Sequence, residues 1–233
     1  MTDRPVILIA GTSRGLGLEL VRQFAERNWT VIATVRDVKS ADGLVRLQAE
    51  RSDRISISLL DIRDPDSVAR LKAGLVGRTI DVLYINAGIM GPTHHDAAKI
   101  TDEEFQSLML TNALAPIRLA KALLGNIRDG SGVLVFMTSQ LGSVTRNVTG
   151  GYDLYRASKA ALNSLTRSLV AKLPPRWLAV LSLHPGWVRT DMGGENAPLD
   201  AKTSVAGMLD LVEKARGTSG HRFLDYLGST IPW

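Results

Sequence analysis

The chain has 233 residues, 45% of them hydrophobic, and a formal net charge of +5 from 28 basic and 23 acidic side chains. That is enough apolar material for one sizeable core, so a single domain over 1–233 is expected. The basic residues are scattered rather than gathered into a patch, which argues against nucleic-acid binding, and the absence of cysteine excludes disulfides and thiol catalysis. The first apolar run, Val6 to Ala10, is too short for a signal-peptide core, and no run looks long enough to span a bilayer. A soluble cytoplasmic protein with no membrane contact is the expectation.

Along the chain, short aliphatic runs alternate with longer amphipathic ones. Strands are predicted at 6–10 (VILIA), 30–35, 55–60, 81–86, 132–138 and 178–184, with a weaker one at 221–224. Helical periodicity falls near 15–27, 41–51, 65–76, 101–128, 152–173 and 202–216. Continuous aliphatic strands, each followed by a helix, imply an α/β fold: a doubly wound, mostly parallel seven-stranded Rossmann-type sheet with helices on both faces. Such sheets bind ligands outside the C-terminal ends of their strands, so those ends hold the candidate site.

The first strand runs into Gly11-Thr12-Ser13-Arg14-Gly15-Leu16-Gly17 and then a helix. Glycines there allow a tight turn and let a pyrophosphate approach the backbone at a helix N-terminus. The second strand ends at Val35 and is followed by Arg36, which suits the 2′-phosphate of NADP(H), whereas Asp37, one residue on, would suit the 2′-hydroxyl of NAD. Arg14 is a second cation within reach of the same phosphate. Two charge-assisted contacts of roughly 1.5–3 kcal/mol each amount to a preference of at least about 100-fold. Later come Asp61-Ile62, Asn86-Ala87-Gly88, Ser139 after the fifth strand, and Tyr155-Arg156-Ala157-Ser158-Lys159. Residues i and i+4 share a helix face, so Tyr155 and Lys159 set an ammonium beside a phenol. Lowering the phenol from ~10 by ~3 units needs about 4 kcal/mol, which a lysine and a charged cofactor would supply. Pro116 has no N–H for the carbonyl of Asn112 four residues back, so a kink with a free carbonyl, able to hold a water, is expected there.

Together the GxxxGxG turn, Asn86-Ala87-Gly88, Ser139 and YxxxK resemble the short-chain dehydrogenase/reductase family over essentially the whole chain. The segments GGYDLYRASKAALN, PGWVRTDMGG and GSTIPW resemble its sniffer- and C-factor-like carbonyl-reductase subgroup. The resemblance implies catalysis by Ser139, Tyr155, Lys159 and Asn112, with Ser139 preferred over Thr138 and Ser143 because Gly142 follows it by three. It implies cofactor contacts from Gly11, Ser13, Arg14, Gly15, Leu16, Gly17, Arg36, Asp61 (adenine amino group), Ile62, Asn86, Ala87, Gly88, Tyr155, Lys159, Pro185, Gly186, Val188 and Thr190 (carboxamide). Two positions depart from the pattern: Ala10 stands where the family usually has Thr, and Ile85 replaces the first Asn of NNAG. Reduction of a small-molecule carbonyl, or oxidation of the alcohol, follows, with a homodimer or homotetramer formed through the helices at 101–128 and 152–173. Ala113, Ala157, Ala160, Ala161 and Leu165 are read as apolar surface for that contact. Met90, Leu141, Tyr152, Trp187 and Met192 would line an apolar pocket suited to an uncharged aldehyde or ketone. The adjacent His94 and His95 read as surface loop, and His184 as the end of a strand; no metal-ligand spacing appears. A competing reading is an NADP-binding regulatory or signalling protein acting through protein contacts. A Rossmann-type methyltransferase also uses a glycine-rich first turn but gives no account of YxxxK.

Overall fold

A computed structural model describes residues 4–174 and 177–233. Its seven strands are β1 (Val6–Ala10), β2 (Thr30–Val35), β3 (Ile55–Leu59), β4 (Val82–Ile85), β5 (Val133–Met137), β6 (Ala179–His184) and β7 (Gly220–Asp225). They form one sheet in the order β3-β2-β1-β4-β5-β6-β7, and every pairing is parallel. The expected topology is therefore found, entirely rather than mostly parallel. Strand order reverses between β1 and β4, which opens a crevice at their C-terminal ends.

Side chains alternate across a strand, so Ile7 and Ile9 face one layer of helices while Leu8 and Ala10 face the other. Helices α1 (Gly15–Glu26), α2 (Asp42–Glu50) and α7 (Ala201–Ala215) cover the first face. Helices α3 (Pro65–Gly74), α5 (Ala115–Leu123) and α6 (Asp153–Val170) cover the second, and α4 (Asp102–Met109) leads into α5 from outside that core. Local chemistry starts several of them. Asp64 caps α3 by accepting from the Asp66 N–H at 2.9 Å, with Pro65 in the first turn. Thr101 and Glu104 form a reciprocal capping box at α4.

Between α4 and α5 the residues Leu110–Leu114 form a π-helical turn. This local widening of the helix, which holds Asn112, lies just upstream of Pro116, where the sequence predicts a kink. The stretch Asp102–Asn126 is long and apolar enough to cross a membrane by length and composition, unlike the sequence expectation, but here its apolar side packs on the sheet. The residues read as dimer surface are partly consumed by the core as well: Ala113 is buried, and Ala161 and Leu165 pack against the second cluster.

Candidate active site

The reversal point puts the glycine turn and the end of β4 face to face. Asn86 donates from its side chain to the Gly11 carbonyl at 2.7 Å. A Cβ on Gly17 would collide with that same carbonyl, and one on Gly11 would lie 2.9 Å from the Ala87 Cα. Gly11 and Gly15 also adopt positive φ, of 89° and 56°. The turn is therefore shaped by protein contacts alone, and it leaves the first N–H groups of α1 without intrahelical acceptors. A groove of about 500 Å³ runs from this turn along the strand ends. It is lined by Gly11, Ser13, Arg14, Gly15, Leu16, Gly17, Arg36, Asp61, Ile62, Asn86, Ala87, Gly88, Tyr155, Lys159, Pro185 and Thr190. Gly186 and Val188 are not in its wall. Gly186 is held at φ 85° against Leu199 and Tyr226, and Val188 is buried.

The two ends of the groove differ chemically. At the β2 end, Arg36 is exposed and faces the groove, while Asp37 is turned into a cap, its carboxylate accepting from the Lys39 N–H at 2.9 Å. Of the two neighbours, Arg36 lines the groove and Asp37 does not. Arg14 also lines the groove, and its guanidinium lies 3.0 Å from Asp191, reaching from the glycine turn to the loop after β6. Asp61 accepts from the Arg63 N–H at 2.8 Å and keeps part of its carboxylate exposed. Donors at a helix start, a cation at the ribose position and a carboxylate beyond it fit a phosphorylated nicotinamide dinucleotide.

The other end carries the polar cluster. Tyr155 and Lys159 both project from α6 and are buried. Burial pushes the Tyr155 phenol up to about 12, while hydrogen bonding with Ser139 pulls the other way. Burial pulls the Lys159 ammonium down to about 8. The lysine donates to the Met137 carbonyl at 3.0 Å and stands 5.7 Å from the centre of the tyrosine ring, not at its hydroxyl. The lowering expected from the spacing draws on a lysine and a charged cofactor together; among the protein's own groups, burial is the larger influence on the phenol.

Ser139 caps the short turn Gln140–Gly142, its hydroxyl accepting from the Leu141 N–H at 3.1 Å. A Cβ on Gly142 would lie 2.8–3.0 Å from the backbone and Cβ of Lys159, which gives the Ser139–Gly142 spacing its physical meaning: the turn must touch α6. Asn112 lies in the π-turn and acts through its side chain. It donates to the Ile89 carbonyl at 2.8 Å and to Ser158 Oγ at 3.0 Å, and accepts from the Ile89 N–H at 2.8 Å. It ties the loop after β4 to α6, beside Lys159.

Some expectations and some omissions stand out. Tyr152 sits at φ 55° and stacks on His95, itself at φ 55°, with ring centres 4.5 Å apart. His94 accepts from the Asp96 N–H through Nδ1 at 3.2 Å, consistent with a surface loop. His184 does end β6, but its buried Nδ1 has no hydrogen-bond partner among the described residues, and burial pulls its pKa down to about 4. Met90 and Met192 line a second, shallower cavity with Glu103, Glu104 and Asp191, so that wall is more acidic than the apolar pocket expected. Trp187 is mostly exposed, its indole donating to the Gly193 carbonyl at 2.7 Å. Sequence reasoning missed Asp191, whose only signal is its place beside Thr190, and Ser107, Thr111 and Thr138, which also line the groove. No metal-binding group of His, Cys, Asp or Glu occurs among the described residues.

A parallel sheet with a glycine turn at its reversal point, and a Tyr–Lys pair facing that groove, defines a dinucleotide-binding oxidoreductase architecture. Residues 5–200 match the family model described as short chain dehydrogenase, and the chain belongs to that family. It is similar to a carbonyl reductase from Pseudomonas aeruginosa solved in complex with NADP, at 42% identity and a TM-score of 0.91, covering 99% of this chain and 100% of that one. The carbonyl reductase Sniffer of D. melanogaster gives a TM-score of 0.89 at 34% identity, with 99% and 100% covered. C-signal of Myxococcus xanthus is 40% identical over 158 residues, covering 66% of this chain and 93% of its own.

Proposed function

We propose that this protein is an NADP(H)-dependent oxidoreductase that interconverts a small-molecule aldehyde or ketone with its alcohol. The observation that carries the reading is the buried pair Tyr155 and Lys159 in the wall of a groove that also presents Arg36, with Ser139 hydrogen-bonded to Tyr155 just behind that wall. The NADP-bound carbonyl reductase with the same fold supports it. Bound in the groove, the nicotinamide cofactor supplies the hydride. The Ser139 hydroxyl donates to the substrate oxygen and stabilises the negative charge that grows on it. Tyr155 gives that oxygen its proton; with the phenol pushed up to about 12, it holds the proton at neutral pH until the oxyanion needs it. Lys159 lies within reach of both the groove and the Tyr155 ring, positioned to bind the nicotinamide ribose and to favour the phenolate as it forms. Asn112 keeps the Gly88–Ile89 segment against α6, which fixes the floor beneath the reacting atoms.

The test is NADPH oxidation over a panel of aldehydes and ketones, with Tyr155→Phe alongside. Wild-type turnover that drops at least about 100-fold in the variant supports the assignment of the proton donor. Equal turnover by both proteins removes Tyr155 from the chemistry. Similarity to C-signal favours a second reading, a cofactor-binding regulatory protein acting through protein contacts. A folded wild type that binds NADPH yet reduces no carbonyl would select it.

A further inference from the structure

One turn beyond Lys159, Asn163 occupies the next position of the same helical stripe, and it is buried at 3% exposure. Its side-chain amide reaches both ends of the turn that carries Ser139. Thr138 Oγ1 donates to Asn163 Oδ1 at 2.9 Å, and Asn163 Nδ2 donates to the Gly142 carbonyl at 3.3 Å. The orientation of the amide is fixed by chemistry: a backbone carbonyl only accepts, so the nitrogen must face Gly142. Ser139 lies between the two anchors, and within the turn its own carbonyl accepts from the Gly142 N–H at 2.9 Å.

A buried amide is costly unless both its ends are paired, and an aliphatic side chain would serve a plain core position with less risk. Here both bonds land on the one loop whose placement against Tyr155 governs the reaction, and they come from the helix that carries Tyr155. We propose that Asn163 is a positioning residue that sets the Ser139 hydroxyl against the Tyr155 phenol, making α6 the common ruler for both. This rests on the reductase reading above. A hydroxyl and a phenol that must meet the same substrate oxygen tolerate little error, since misplacement by about 1 Å costs on the order of 100-fold in rate. Thr138 shares in the same device from the strand side.

The experiment is a double-mutant cycle of Asn163→Leu with Ser139→Ala, following single-turnover NADPH oxidation with an aromatic aldehyde at saturating enzyme. Asn163→Leu should lower kcat about 10–100-fold while NADPH affinity, read by nucleotide fluorescence, stays within about twofold. On top of Ser139→Ala the same change should cost less than about threefold, because the group it positions is gone. Persistence of the full factor in that background, or no loss in the single variant, overturns the proposal. Should Asn163→Leu fail to bind NADPH, Thr138→Val replaces it; that variant removes the donor to Asn163 Oδ1, leaves the bond from Asn163 to Gly142, and should show a smaller loss that again vanishes without Ser139. Backbone hydrogen exchange of residues 138–145, measured without substrate, should accelerate in the Asn163 variant while the α1 turn is unchanged, and unaltered exchange refutes the clamp. A wild type inactive on every carbonyl would sink the reductase reading and leave this exchange result to decide on the clamp.

Discussion

Replacing Lys159 with methionine should stabilise the folded protein at neutral pH while removing its activity. The ammonium is buried, burial lowers its pKa from 10.5 to about 8, and no acidic partner among the described residues offsets the loss of water. Unfolded, the same lysine titrates near its ordinary value, so between about 8 and 10.5 the unfolded chain holds a proton that the folded one has released. Stability therefore rises with pH across that window, and the cost of the lysine is fully present below it. From the two values, that cost is about 3 kcal/mol at pH 7 and shrinks to about 1 kcal/mol at pH 10. Methionine matches the aliphatic length but forfeits the bond to the Met137 carbonyl, worth about 1 kcal/mol. The net expectation is a gain of about 2 kcal/mol at pH 7 that fades to nothing by pH 10. Urea unfolding followed by tryptophan fluorescence, without cofactor, at several values between pH 7 and pH 10, would measure it. A variant less stable than wild type at pH 7, or a gap that does not narrow with pH, would refute the reasoning. NADPH oxidation by the same variant should be lost, which would make Lys159 a position where stability is given up for chemistry.

Arg36→Ala should weaken NADPH binding about 10–100-fold and leave NADH binding within about twofold, measured by fluorescence titration; equal loss for both would move the phosphate contact elsewhere. Asp81→Asn should destabilise by about 2–3 kcal/mol at pH 7, since the carboxylate is buried and accepts from Arg128 at 2.7 Å, Arg216 at 3.2 Å and the Val6 N–H at 2.9 Å. Those partners hold the Asp81 carboxyl below its usual range, so its contribution is present above about pH 4 and is lost as pH falls through the lower folded value. Denaturant midpoints of the two proteins should accordingly draw together as pH falls below about 4, and a constant offset would count against the ion pairs.

The fold was largely legible because its inner strands, β1, β2, β4, β5 and β6, are mostly apolar runs buried on both sides that admit little other reading, whereas the edge strands β3 and β7 are only partly buried. The glycine turn and the Tyr155–Lys159 pair were legible for a related reason, as local spacings whose geometry a helix or a turn fixes. What escaped depends on contacts between distant segments. Arg14 is a cation at a suitable place in the sequence, yet its partner, Asp191, is set by how the loop after β6 returns over the groove. Asn163 carries no motif, and only the fold reveals that its amide meets both ends of the serine turn. The tyrosine's surroundings were only half legible: spacing shows which charge is near, whereas burial depends on everything packed around it.

The π-turn at Leu110–Leu114 amounts to one residue more than a regular helix would need to connect α4 with α5. Of α4's residues only Leu108 is buried, whereas Ala115, Pro116, Ile117, Leu119, Ala120 and Leu123 of α5 all are, so the extra residue re-phases the helix from an outward course to a core-facing one. Removing a single residue there would restore a regular hydrogen-bond ladder, and local stability alone would favour it. The same deletion would swing Asn112 by about 100° around the axis, away from Ile89 and Ser158. Length variation in this helix is therefore constrained at one point: insertions and deletions are tolerable at its ends, but a shift of one within residues 110–114 separates the loop after β4 from the helix that carries the reactive side chains.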